Sequence, residues 1–311
     1  MIKQPMIKII STGKYIPPHI VTNQDLEKLV DTSDDWITTR TGIKRRRKAI
    51  NELTSDMAYY AAIDAIEKAN YDQTKIDLII MATITGDQFT PSTANFIQAK
   101  LGLEHQVMSF DINAACTGFV YALEIASSML QTGRFRSALI IGGEKLSKVI
   151  DYTDRNTCVL FGDGAGAMII EPSQKEQDRA YFYNAAYPDK NNTLTVIDKI
   201  FMDGKKVYQF AVDIMEKSIH KILDVANLTM DDIHMIIPHQ ANERIIQSVS
   251  KSSGIPMNKF MLNISEYGNT SAASIPITIA EYLEKHNITN QKILLVGFGG
   301  GFTWGSAILQ F

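Results

Sequence analysis

Three residues of types suited to nucleophilic and polar chemistry lie in short motifs rich in small residues. Cys116 sits in Ala114-Ala115-Cys116-Thr117-Gly118, His239 in Pro238-His239-Gln240-Ala241-Asn242, and Asn269 in Tyr267-Gly268-Asn269-Thr270-Ser271. Cys116 follows a short strand pattern over 106–110 and precedes a stretch, 118–130, in which Glu124 is the only charge. That stretch is too long for a strand and lacks period-two alternation, so it predicts a helix buried on nearly all sides. A thiol at the start of such a helix faces unpaired N–H groups and the positive end of the helix dipole, both of which favour thiolate. Ala114, Ala115 and Gly118 let a substrate approach the sulfur. Each residue also has an ordinary structural explanation: a lone cysteine is commonly a core residue, a histidine a satisfied polar group, an asparagine a turn former. His239 gains weight from its place just past a strand pattern, where α/β sheets build sites. His220, His234 and His286 lie in or beside helix and strand patterns without such loops and are set aside.

The elements that must carry these motifs follow in order. Residues 8–13 read as a strand, Thr22 or Asn23 caps a helix, and Ser33 caps another that Gly42 ends. The basic run 44–48 reads as a solvated loop, with an anion-facing rim as the functional alternative. Residues 54–69 have helical spacing behind a Thr54 or Ser55 cap, 76–83 form a buried strand, and 93–101 a helix. A further buried strand covers 138–143. The glycines of Phe161-Gly162-Asp163-Gly164-Ala165-Gly166 lead into a strand, whereas a dinucleotide fingerprint opens a helix. Residues 173–200 are polar and unpatterned and read as a linker. A long helix over 207–226 and a strand over 233–239 follow.

The second half repeats the first. Asp77-Leu78-Ile79-Ile80-Met81 resembles Asp232-Ile233-His234-Met235-Ile236, and Ala138-Leu139-Ile140-Ile141-Gly142 resembles Ile293-Leu294-Leu295-Val296-Gly297. Both pairs are about 155 residues apart, a domain-scale offset. The same offset sets the Asn269-Thr270-Ser271 loop opposite Cys116. Alternating helices and buried strands predict an α/β protein with mixed, helix-covered sheets.

Composition narrows the function. With 31 basic against 34 acidic residues the formal charge is −3, which gives no bulk electrostatic case for nucleic acid. Two cysteines in 311 residues argue against a disulfide framework and for a reducing compartment. The first ten residues lack a signal-peptide core and no apolar run reaches membrane-spanning length, so the expected location is the cytoplasm, away from the membrane.

Taken together and in order, the motifs are specific. To those above are added Asp31-Thr32-Ser33-Asp34-Asp35-Trp36, Arg40-Thr41-Gly42-Ile43, Thr153-Asp154-Arg155, Ser271-Ala272-Ala273-Ser274 and Gly299-Gly300-Gly301-Phe302-Thr303-Trp304-Gly305. From about residue 9 to 311 the chain resembles the β-ketoacyl-acyl carrier protein synthase III family of the thiolase superfamily. The resemblance implies a thiolase-like fold, a duplicated five-layer αβαβα arrangement with mixed sheets, divided into halves 1–172 and 173–311, and a homodimer. It implies that Cys116 takes an acyl group from acyl-CoA. Malonyl-acyl carrier protein then condenses with it by decarboxylative Claisen chemistry, giving 3-oxoacyl-acyl carrier protein, CoA and CO2 without cofactor or metal. A Cys-His-Asn set separates this family from elongating synthases (Cys-His-His) and thiolases (Cys-His-Cys).

By the same correspondence, the N–H groups of Cys116 and Gly300 form the oxyanion hole, while His239 and Asn269 donate to the malonyl enolate. Asparagine takes up no proton, so its role is electrostatic. Thr32, Trp36, Arg40 and Arg155 match CoA contacts, with Trp36 and Arg155 sandwiching the adenine. Gln240, Ala241, Asn242, Glu243 and Arg244 match the carrier-protein segment. Lys205, Lys206 and Lys251 would extend a basic patch for an acidic partner. The chain departs from the family pattern over 173–200, which bears on primer choice, and at Gln209, where a basic contact is usual. Two other readings compete. A synthase III-like enzyme of a specialised pathway is motivated by the short middle. A Cys-His-Asn peptidase lacks any use for Trp36 and Arg155.

Overall fold

The computed structural model describes residues 4–311. In chain order the first half contains β1 (Ile7–Tyr15), β2 (Ile20–Thr22), α1 (Asn23–Glu27), α2 (Asp34–Thr41), β3 (Arg45–Arg47), α3 (Thr54–Lys68) and β4 (Leu78–Ala82). It continues with α4 (Thr93–Lys100), β5 (Met108–Ile112), α5 (Gly118–Leu130), β6 (Ala138–Glu144), α6 (Arg155–Cys158) and β7 (Gly164–Pro172). The second half contains β8 (Tyr181–Ala186), β9 (Leu194–Val196), β10 (Ile200–Met202), α7 (Gly204–Ala226), β11 (Ile233–Pro238) and α8 (Glu243–Ser253). It closes with α9 (Ile264–Tyr267), α10 (Ser274–Lys285), β12 (Lys292–Gly299) and β13 (Thr303–Gln310).

The repeat read from the sequence is the architecture. One sheet has the order β1-β7-β6-β4-β5 and the other β11-β12-β13-β8. In both, an antiparallel pair of pairs adjoins parallel strands: β4 runs parallel to β6 and β11 to β12. The counterpart of β5 in the second sheet is reduced to a single bridge between Ile236 and Phe260. Strand alternation sorts the apolar side chains into layers. From β4, Leu78 and Ile80 join a central core with Phe119 and Leu123 of α5 and Ile275 and Ile279 of α10. Ile79 and Met81 face the other way, against α3. Leu294 and Val296 of β12 pack with α7 and α8 in the same manner. The result is the mixed-sheet, five-layer thiolase-like arrangement, with α5 and α10 walled in between two sheets.

Local chemistry explains the helix ends near the site. Ser33 Oγ accepts from the Trp36 N–H at 3.1 Å, and Gly42 ends α2 in the left-handed region at φ 79°. Asn242 caps α8, its Oδ1 accepting from the Arg244 N–H at 2.9 Å.

Three expectations need correction. The 44–48 run is a strand rather than a solvated loop: β3 pairs with β2, and Arg46 is buried, donating to Asn23 Oδ1 at 2.8 Å and to the Val159 carbonyl at 2.7 Å. Carbonyl and amide acceptors, invisible in a charge count, let the cation go inside. Residues 173–200 are more than a linker. They supply the edge strand β8 and most of the β9–β10 hairpin, whose Ile200 N–H donates to the Val149 carbonyl of the first half at 2.9 Å. The cap of α3 is Leu53, where Asp56 reaches back to the Leu53 N–H at 2.8 Å.

A close approach sets how the halves meet. A Cβ on Gly142, in β6, would lie 2.2 Å from the Ala272 carbonyl oxygen. Gly142→Ala must therefore push the 271–273 turn away from the sheet. The expected cost is about 1–3 kcal/mol, the range for overpacking a tight core, measured as a lowered urea-unfolding midpoint with unchanged slope. An unchanged midpoint would show that the turn does not need this contact.

Candidate active site

Two turns of the same construction face each other across the seam. The 3₁₀ turn 115–117 precedes α5, and the 3₁₀ turn 271–273 precedes α10. Each opens with a non-glycine residue in the left-handed region, Ala115 at φ 47° and Ser271 at φ 50°. Such backbone persists only where the surroundings fix it, and it gathers at functional sites. Cys116 stands at the middle of the first turn. The helix itself begins two residues later, at Gly118.

Other backbone closes around the sulfur. The end of β12 runs against the turn so closely that a Cβ on Gly299 would lie 2.8 Å from the Cys116 nitrogen. Gly300 follows in the cavity wall, so the N–H groups of Cys116 and Gly300 occupy neighbouring loops. The Thr117 and Thr303 hydroxyls meet at 2.8 Å, and Thr303 also donates toward the Gly300 carbonyl at 3.2 Å. Thr303 thus ties the two loops together. In the sequence it stands only as one residue of the 299–305 motif, since a threonine opening a strand signals no such tie.

Asn269 is fixed from three sides. Its N–H donates to the Leu160 carbonyl at 2.8 Å, its carbonyl accepts from the Gly162 N–H at 3.0 Å, and its Oδ1 accepts from the Ser271 N–H at 2.8 Å. With Oδ1 occupied, the NH2 group is the end left for the cavity, which Asn269 lines. The glycine-rich 161–166 segment therefore serves as a rail for this turn. His239 is buried at the end of β11, and its Nδ1 pairs with Ser274 Oγ at 2.6 Å. The edge of its ring meets Phe298, centroids 5.7 Å apart.

Burial dominates the electrostatics. It pushes the His239 imidazole down to about 3, so the ring is neutral near pH 7 and can only offer or accept a hydrogen bond. Burial also pushes the Cys116 thiol up to about 12, with the nearby Glu144 carboxylate adding to the rise and the Ser271 hydroxyl opposing it. The expectation of a resting thiolate thus meets an opposing effect, loss of solvent around this half-buried side chain.

Cys116, His239, Asn269 and Gly300 all line one cavity of about 1540 Å³, together with Trp36, Arg40, Ala241, Asn242 and Arg244. Gln209 and Lys205 line it too. Three predicted contacts sit differently. Gln240 is buried, donating to the Pro238 and Met261 carbonyls at 2.8 and 3.1 Å, so its side chain serves the loop rather than a surface. Glu243 is tucked against Gly42 and accepts from Gln247 at 3.0 Å. Thr32 lies beside α2 with its hydroxyl buried and unpaired among the described residues. Asn242 does more than cap α8: its Nδ2 donates to the Arg40 carbonyl at 3.1 Å, joining the segment that follows His239 to the end of α2.

Trp36 and Arg155 meet, but as partners of each other. The Arg155 guanidinium lies 4.9 Å from the indole centroid and donates to the Asp31 carbonyl at 2.9 Å; Arg40 approaches the same ring at 5.7 Å. A base sandwiched between two planes needs roughly 7 Å, twice a van der Waals contact. Arg155, which is exposed, has to swing aside before an adenine can stack there.

Comparison with known proteins decides the family. The model described as 3-oxoacyl-[acyl-carrier-protein (ACP)] synthase III matches residues 110–186, and that of its C-terminal part matches 223–311. The chain belongs to the 3-oxoacyl-[acyl-carrier-protein] synthase III family. It is 57% identical to the β-ketoacyl-[acyl-carrier-protein] synthase III of Acholeplasma laidlawii, over 98% of both chains. It is 46% identical to that of Clostridium acetobutylicum, again over 98% of both. The crystal structure of the Aquifex aeolicus 3-oxoacyl-[acyl-carrier-protein] synthase III superposes with a TM-score of 0.94 at 43% identity, covering 98% of this chain and all of that one. The match over both full lengths makes this chain a condensing acyltransferase of the synthase III type, and the peptidase reading falls.

The depressed histidine has a stability consequence. Below its ordinary value of 6.5 the unfolded chain binds a proton that folded His239 refuses until about pH 3. This contribution is fully present above 6.5 and is lost as pH falls. Comparing the parent with His239→Asn cancels other titrating groups such as Glu144, whose raised value acts in the opposite sense. Between pH 7 and pH 4.5 the parent should lose about 2–3 kcal/mol more than the variant, measured by urea unfolding at both pH values. Parallel losses would mean that His239 titrates normally.

Proposed function

We infer that this family member carries out the initiating condensation of fatty acid synthesis. The observation that carries the reading is the meeting of Cys116, His239, Asn269 and Gly300 in one cavity that also holds Trp36, Arg40 and Arg244. Acyl-CoA enters that cavity, and the Cys116 sulfur attacks the thioester carbonyl. Negative charge developing on the oxygen is met by the N–H groups of Cys116 and Gly300. CoA leaves, and malonyl-carrier protein brings its arm to the acylated cysteine. Loss of CO2 generates an enolate whose oxygen is held by the His239 ring and the Asn269 NH2 group. Neutral donors suit this task, because a charged imidazolium would protonate the carbanion-bearing nucleophile. The enolate attacks the acyl-cysteine, the oxyanion hole is used again, and 3-oxoacyl-carrier protein departs. The atoms balance without metal or cofactor, since decarboxylation itself drives the carbon–carbon bond.

The two halves, 1–172 and 173–311, share the labour: the first supplies the nucleophile and most CoA contacts, the second the enolate donors and the carrier segment. For CoA, Trp36, Arg40, Arg155 and the free Thr32 hydroxyl are the contacts. For an acidic carrier protein, exposed Arg244 with Lys205 and Lys251 gives a basic approach, while Ala241 and Asn242 shape the entrance. A homodimer is supported by β5, an edge strand with no outer neighbour among the described residues, and by Phe89, which is fully exposed while lining the cavity. Two free thiols suit a reducing cytoplasm.

Cys116→Ser should abolish acetyl labelling by acetyl-CoA, read by intact-protein mass, while the fold is retained; full labelling at Cys158 would reassign the nucleophile. His239→Ala and Asn269→Ala should still accept the acetyl group yet lose malonyl decarboxylation by about 10²–10³-fold, the usual worth of a donor to developing charge. Normal decarboxylation in both would remove them from the enolate role.

Arg244→Ala should raise the apparent KM for malonyl-carrier protein and flatten its salt dependence while leaving single-turnover acetylation nearly unchanged. Trp36→Ala should do the reverse, since stacking is screened less than charge. Equal losses in both assays would mean that the two substrates share one set of contacts.

A further inference from the structure

An enolate is held only by groups that turn a hydrogen toward its oxygen. An imidazole that stays neutral down to about pH 3 carries one ring proton, on Nδ1 or on Nε2. The bond made by one ring nitrogen sets the state of the other. An amide can likewise present its oxygen or its NH2 group. The turn before α10 bears on both choices.

Ser274 opens α10 and is buried. Its backbone is held on both sides: the N–H donates to the Ser271 carbonyl, and the carbonyl accepts from the Thr278 hydroxyl at 2.7 Å. Its Oγ lies 2.6 Å from His239 Nδ1, a short contact between two buried side chains. His239 is braced as firmly. Its N–H donates to the Val296 carbonyl of β12 at 2.8 Å, and its carbonyl accepts from the Ala241 N–H at 3.0 Å. The Gln240 N–H points at the same serine oxygen, at 3.4 Å.

Counting protons gives the 2.6 Å bond its direction. A serine hydroxyl has one proton and two lone pairs. The Gln240 N–H takes one lone pair, and Nδ1 is the only acceptor that the serine proton meets among the described residues. A protonated Nδ1 would donate to Oγ and leave the serine proton buried with no acceptor, which folded interiors rarely tolerate. A bare Nδ1 leaves every group paired and puts the ring proton on Nε2. Nε2 has no protein partner among the described residues, and His239 lines the cavity.

We propose, resting on the condensing reading above, that Ser274 is a positioning residue for the malonyl half-reaction: its hydroxyl donates to His239 Nδ1, keeps the ring proton on Nε2 and so presents that N–H to the enolate oxygen. The same turn treats Asn269 in the same sense, since the Ser271 N–H donates to its Oδ1 at 2.8 Å and leaves the NH2 group for the cavity. One short turn thus engages the acceptor end of both site groups and leaves both donor ends free. Ser274 touches no substrate and acts through the ring. Without its hydroxyl, Nδ1 loses its donor, and the ring can rotate or take the other tautomer. Acylation of Cys116 makes no use of the Nε2 proton, so the effect falls on one half-reaction.

The test uses the full chain with isotope-labelled histidine, near neutral pH. A proton–nitrogen correlation spectrum reports which ring nitrogen carries the proton, and the signals missing from His239→Asn identify His239. The parent should show a protonated Nε2 and a bare, hydrogen-bonded Nδ1. A protonated Nδ1 in the parent overturns the assignment without recourse to any variant of Ser274. In Ser274→Ala the Nδ1 resonance should move to that of an unbonded nitrogen, or the ring should show both tautomers; a spectrum that superimposes on the parent's would overturn the role. The same variant should lose kcat for malonyl decarboxylation by about tenfold or more, with KM for malonyl-carrier protein little changed. Its acetyl labelling at Cys116 should run at close to the parent rate. Parent-like decarboxylation, or equal losses in both half-reactions, would also exclude the role. Failure of the parent to take up acetyl would instead sink the condensing reading, because the tautomer is read without substrate.

Discussion

The contact between β6 and the 271–273 turn at Gly142 is the constraint around which the site forms. Only a residue without a side chain lets the Ala272 carbonyl come that close to the strand. Because of it, the turn before α10 lies against both β6 and the turn before α5, and residues far apart in sequence face one another. The bridge between Phe161 and Asn269 fixes the sliding direction of the same turn. Lateral approach and register are thus set by backbone, and the side chains that do chemistry are passengers on two well-braced turns.

Enclosure has a single direction and two effects. It favours the uncharged imidazole of His239, and it pushes the Cys116 thiol toward its protonated form. A site that only needed a thiolate would sit nearer to solvent or beside a cation. Here the same dry environment acts on both groups at once.

The sequence makes the plan of the molecule readable because duplicated strands carry duplicated patterns. The strands 76–83 and 138–143 and their counterparts, the buried helix after Cys116 and the caps at Thr22 and Ser33 all stand where local rules put them. What escapes those rules depends on distant partners. Arg46 reads as solvated until Asn23 and Val159 are brought to it, and β8 reads as linker because an edge strand needs little apolar alternation. For the site, Cys116, His239 and Asn269 were visible through their motifs. Gln240 was misread as a surface contact because its acceptors lie across the loop. Glu144 was passed over: a glutamate ending a strand signals nothing until the Thr83, Thr85 and Ser271 hydroxyls are seen to point at it.

The pairing of Arg155 with Trp36 has a consequence for whatever stacks on that indole. A guanidinium that already rests on the indole competes with any planar ligand for the same face, subtracting its own stacking energy from that ligand's hold. Seen in this way, the arginine occupies the ring itself and would have to give way before any planar group could stack on that face.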